Sequence, residues 1–244
     1  MGVTTRFPDG VTNVNKISPF NGLSIPFPGV IQHYFNDFNA YSSSDWLETV
    51  VDTDADSANA RSIDATAGGV LNILLDNNAA DSTNLALGGA GAEQFLLSLS
   101  KKAWLAAKFS STDVDKNYLA IALAPISDVD LQGGLPNDHI AIKVDAADAN
   151  IDISISKDGT ASTSNAVGTL SNYAEGTNNL TEVVVYYNGR GIAEIYVDSV
   201  KKAELNVAST LPDDEELTLQ MEVHNSDAAA DAMAVDWVFV GVER

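Results

Sequence analysis

The chain has 244 residues, 34 acidic side chains against 13 Lys and Arg, a formal net charge of −21, and no cysteine. That composition excludes disulfides and thiolate metal centres. It also argues against nucleic-acid or anionic-membrane partners, because phosphate binding needs clustered cations and the only basic pairs are Lys101-Lys102 and Lys201-Lys202. No apolar run approaches the roughly 20 residues that span a bilayer. The first residues lack the apolar stretch of a signal peptide, so synthesis in a cytoplasm without general export is expected.

Residues 1–33 are expected to form an extended arm. Four of the seven prolines, Pro8, Pro19, Pro26 and Pro28, fall here. With no helical or alternating periodicity, such punctuation implies extended or turning backbone. A disordered linker would be polar. This one carries Phe7, Val11, Ile17, Phe20, Leu23, Ile25 and Phe27. These seven are the expected partner-binding residues, lying against their own domain or a neighbouring subunit. Burial of Phe7, Phe20, Leu23, Ile25 and Phe27 would contribute about 1.5–3 kcal/mol each before ordering costs.

Residues 34–244 read as strands. Trp46–Val51, Val70–Leu75, Gln94–Ser100 and Ala103–Phe109 come first. Asn117–Ala124 has no polar alternation and is predicted to lie mid-sheet, covered on both faces. His139–Val144, Ile151–Ser156 and Leu217–His224 alternate, as half-buried strands do. Thr181–Leu205 is predicted to be a three-stranded meander. Its first turn is Asn188-Gly189-Arg190-Gly191 and its second is Asp198-Ser199, because Asn-Gly tolerates the positive φ of a hairpin turn. The chain closes on the strand Ala234–Val242. About a dozen strands with turns every 8–15 residues define an antiparallel sandwich. Asp213–Glu216 and Ala228–Ala232 offer single helical turns at most.

The meander Val183–Ser199, a further strand pair and the closing strand Ala234–Arg244 together resemble the concanavalin A-like lectin/glucanase jelly roll. The resemblance implies an all-β, two-sheet antiparallel sandwich whose N- and C-terminal strands pair. The opening Met1–Val14 is similar to the start of structural proteins of tailed-bacteriophage virions, above all short-tailed marine phages. That resemblance implies a capsid decoration or head-surface protein made in the host cytoplasm. Its partners would be the major capsid protein or sister subunits. A glycan-binding module of a tail fibre or adhesin is the alternative.

Glucanases of the resembled fold carry Glu-x-Asp-x-x-Glu on one strand, and retaining chemistry needs two carboxyls about 5–5.5 Å apart. That motif is missing. Glu182 and Glu194 stand alone, and Glu222 shares the polar face of its strand with Gln220 and His224, where solvation is expected. Asp52-Thr53-Asp54-Ala55-Asp56 begins like a calcium loop but has Ser57 in place of the glycine and Ile63 in place of the bidentate Glu. Asp113-x-Asp115 and Asp128-x-Asp130 are equally incomplete. His33, His139 and His224 lack zinc spacing. No G-x-S-x-G elbow is present, and Gly88-Gly89-Ala90-Gly91 has no Lys or helix to make a phosphate cradle. Trp46, Trp104 and Trp237 sit in strand-like runs and are expected in the core. The chain is therefore expected to have no catalytic site, no cofactor and no metal.

Overall fold

The computed structural model describes residues 30–53, 59–64, 69–88, 93–126, 130–132, 134–177 and 179–244. Fifteen strands run through them: β1 (Ile31–Asn36), β2 (Trp46–Val51), β3 (Ala60–Asp64), β4 (Val70–Leu74), β5 (Ser82–Leu87), β6 (Ala103–Ser111), β7 (Asn117–Ala124), β8 (His139–Val144), β9 (Asn150–Lys157), β10 (Thr160–Thr169), β11 (Thr181–Tyr187), β12 (Ile192–Val197), β13 (Val200–Asn206), β14 (Thr218–Asn225) and β15 (Ala232–Glu243). A single 3-10 turn, Ser43–Asp45, is the only helical element among the described residues.

The strands form two antiparallel sheets. One has the order β13-β12-β11-β6-β15-β4-β3, with β1 also paired to β15; the other runs β10-β9-β8-β7-β14-β5-β2. Period-two alternation makes the core between them: Leu219, Met221 and Val223 of β14 face Leu71, Phe109, Val235 and Val240 of the opposite sheet within one cluster. β7 is buried along its whole length, between β8 and β14, as its unbroken apolar run predicts. The β11-β12-β13 meander and the β1–β15 pairing also match expectation. β1 begins at Ile31, so it straddles the division placed at 33/34.

Gln94–Ser100 does not form the expected strand. Phe95 makes one isolated bridge to Leu217, while Phe95 and Leu97 point into the core as plugs. β10 was not foreseen, because its Thr, Ser and Ala residues carry little apolar signal. The Asp158-Gly159 pair before it, with φ of 50° and 75°, is the hairpin turn that marks it. One edge of the sandwich is closed by an ion pair between sheets, Arg61 of β3 with Glu48 of β2, and Arg61 also donates to Thr83 Oγ1 at 3.0 Å. At the other edge β10 meets the meander, where Gly168 leaves room for Val197; a Cβ there would sit 2.9 Å from Val197 Cγ1.

Candidate functional site

The outer face of the seven-stranded sheet is built by the alternate residues of β14, β5, β7, β8 and β9. β7 and β8 contribute a carpet of small side chains, Ala120, Ala122, Ala124 and Ala141. β14 sets an amide, a carboxyl and an imidazole in a row: Gln220, Glu222 and His224. Solvation of Glu222 was expected, and the structure corrects this. Glu222 is 1% exposed, because residues 130–132 fold down over the alanine carpet.

Glu222 is what holds that segment. Its carboxylate accepts from the Leu131 amide at 2.7 Å, the Gln132 amide at 3.1 Å and Asn84 Nδ2 at 3.1 Å. Asn84 also donates to Gln220 Oε1, and Gln220 Nε2 donates to the Pro125 carbonyl. Burial pushes the Glu222 carboxyl up to about 6, against these hydrogen bonds. Tyr118 donates its hydroxyl to the Leu131 carbonyl at 3.0 Å. Its own ionisation is pushed upward by burial and by the charges of Glu222, Asp145 and Asp130.

The far end of the same segment is tied to β9. His139 Nδ1 lies 2.6 Å from the Pro136 carbonyl, which only accepts, so Nδ1 carries the proton. His139 Nε2 therefore accepts from Ser154 Oγ at 2.8 Å. Burial lowers the His139 pKa, which keeps the ring neutral in this arrangement. Ser156 Oγ and the Gly159 amide both donate to the Asn137 carbonyl. Residues 130–132 and 134–138 thus form a ledge fixed to the sheet, with Gln132 and Asn137 exposed along it.

A second polar cluster lies at one end of the sandwich. Asp52 follows β2, Asp76 follows β4 and Asp81 precedes β5, and one carboxylate oxygen of each lies within 4.8 Å of the others. Asp81 is fully buried. Its Oδ1 accepts from the Thr53 amide at 2.9 Å and the Thr53 hydroxyl at 2.7 Å. Burial pushes the Asp81 carboxyl up, but its contact with Asp76 and the Thr53 hydrogen bonds outweigh that and leave it below the usual range. Linear spacing singled out Asp52 but not Asp76 or Asp81, which the sheet topology brings to it. Asp54 and Asp56 lie outside the described residues.

The arm residues Phe7, Val11, Ile17, Phe20, Leu23, Ile25 and Phe27 also lie outside the described residues, as do Met1–Val14, which carry the virion resemblance. Trp46 and Trp104 are buried, and Trp237 is half-buried. Glu182 and Glu194 lie on different strands of the eight-stranded sheet, at no shared site with Glu222.

No protein-family model matches the chain, and no curated protein matches it. Solved structures do. A β-1,3-1,4-glucanase (lichenase) from a mouse hindgut metagenome is 10% identical with a TM-score of 0.51, over 85% of this chain and 98% of that one. The endo-β-1,3(4)-glucanase SCLam of family GH16 is 14% identical with a TM-score of 0.53, over 90% and 94%. The carbohydrate recognition domain of Emp47p is 9% identical with a TM-score of 0.55, over 89% and 99%. The fold is therefore the concanavalin A-like jelly roll that glucanases and lectin domains share. The expectation of a non-enzymatic protein is corrected by these neighbours: many of them are GH16 glucanases, so the architecture is one that carries catalysis as well as binding.

Proposed function

We propose that this chain is a lectin-like protein that binds carbohydrate along the ledge of residues 130–132 and 134–138. The observation that carries the reading is the fixing of that ledge by Glu222 at one end and by the His139–Ser154 pair at the other. A loop already held in place loses little entropy when a ligand docks. The exposed amides of Gln132 and Asn137 both donate and accept, as sugar hydroxyls require. Support also comes from fold neighbours described as carbohydrate recognition domains, and from an SCLam variant co-crystallised with 1,3-β-D-cellotriosyl-glucose. A glycan array with the intact chain and a Gln132→Ala/Asn137→Ala double variant tests it. Binding of one glycan class, weakened at least tenfold in the double variant, is expected; an array with no binding refutes the reading. Assaying the same glycans for new reducing ends decides whether the bound sugar is also cleaved.

A second reading concerns the arm of residues 1–33, whose apolar side chains are proposed to dock the sandwich on a partner protein such as a phage major capsid protein. What supports it is the surface around Val30. Val30 is exposed, and its carbonyl accepts from the Arg244 amide. Arg244 then lines a pocket of about 250 Å³ with the exposed Leu96 and Gln32 and the half-buried Gln94. Attachment to capsids that survives deletion of residues 1–30 in a folded chain overturns this reading.

A further inference from the structure

We propose that Asp52, Asp76 and Asp81 form a binding site for a hard divalent cation, calcium or magnesium, that clamps the two sheets together where the chain crosses between them. Three carboxylates from three separate strand ends converge within 4.8 Å. Asp76 comes from the end of a strand of the eight-stranded sheet, and Asp52 and Asp81 flank strands of the seven-stranded one.

Convergence of acids alone does not make a site. The second observation is Asp81 itself. It is fully buried, and its Oδ2 has no hydrogen-bond partner among the described residues, while Oδ1 already takes two donors from Thr53. A buried carboxylate oxygen without a donor has given up its hydration and received nothing in return. One oxygen of that buried carboxylate lies within 4.8 Å of an oxygen from Asp52 and one from Asp76. No salt bridge reaches Asp81 among the described residues. Like-charged carboxyls held in contact need either a shared proton or a cation between them. An all-oxygen, carboxylate-rich donor set suits a hard cation, and the half-buried Asp52 leaves an open side for the waters that complete its coordination shell.

The experiment uses the intact chain, stripped with a chelator and titrated with calcium and, separately, with magnesium, by calorimetry and by thermal unfolding. Expected are saturable binding near one ion per chain and a rise of roughly 5 °C or more in melting temperature at a hundredfold excess over the dissociation constant. Asp81→Asn is expected to abolish that rise. Asp52→Asn, at a half-buried position that should tolerate the change, is expected to weaken binding at least tenfold with the fold intact, so the test does not depend on Asp81→Asn folding. The proposal is overturned if neither ion binds. It is also overturned if binding is unchanged in a folded Asp52→Asn chain. A metal-free Asp81→Asn chain that is more stable than the parent, in a protein insensitive to both ions, would show that the carboxyls share a proton instead.

Discussion

Glu222 and Glu182 are acids that the fold makes reluctant to ionise. Burial raises Glu222 to about 6 and Glu182 to about 7, the latter with Asp198 adding repulsion and Ser199 opposing it. A carboxyl whose folded pKa lies above its unfolded value of 4.5 favours folding while it stays protonated. That contribution is present below about pH 4.5 and is lost as pH rises through 6 and 7. For Glu222 the span corresponds to about 2 kcal/mol at most. Urea midpoints are therefore expected to fall between pH 5 and pH 8. Glu182→Gln should flatten that decline and exceed the parent above pH 7; a decline of unchanged steepness would assign it to other groups. Glu222→Gln is different, because an amide nitrogen carries two protons and no acceptor where the protonated carboxyl carries one proton and keeps lone pairs on both oxygens, and Leu131, Gln132 and Asn84 are all donors already. We expect it to lose about 1–3 kcal/mol of stability and to expose the ledge of residues 130–132 and 134–138 to protease.

Turns and close approaches decide more than strand propensity at the scale of single elements. Asp198 and Ser199 join β12 to β13 with φ of 48° and 64°, so both central residues of that two-residue hairpin are left-handed. Gly241 of β15 lets Phe239 and Trp104 close over the sheet. A Cβ there would lie 2.9 Å from Phe239 Cζ and 3.3 Å from Trp104 Cε3. Gly241→Ala is expected to cost about 1–3 kcal/mol through overpacking, read as a lowered midpoint with the urea slope unchanged. The sequence reading found β7, β14 and the meander because apolar content and period two are local signals. It missed β10 because Thr160–Thr169 gains its order from β9 and from Gly168 packing under Val197, not from its own hydrophobicity. Gln94–Ser100 failed in the opposite direction: Phe95 and Leu97 are apolar because they plug the core, with no ladder to join.

Across the whole molecule, both polar clusters depend on contacts far apart in the chain, which is why linear spacing did not reveal them. Glu222 meets Leu131 across 91 positions. Asp52 meets Asp76 and Asp81 only after β3 and β4 have joined one sheet and β2 and β5 the other. A polar residue on an alternating strand reads as solvated, and nothing local says that a distant segment will fold over it. The Glu48–Arg61 pair has the same character: Arg61 is buried at its side chain and joins the layers at one rim. Arg61→Ala leaves Glu48 and Thr83 without their donor, and the expected loss is about 1–3 kcal/mol by urea unfolding.

The position of β15 has a consequence for biogenesis. Its first half pairs with β4, its second half with β1, and its opposite side with β6. During translation the eight-stranded layer waits, split down the middle, until these late residues clear the ribosomal tunnel. Until then the edges of β1, β4 and β6 that β15 covers stand without their ladder partners, open to pairing with other strands.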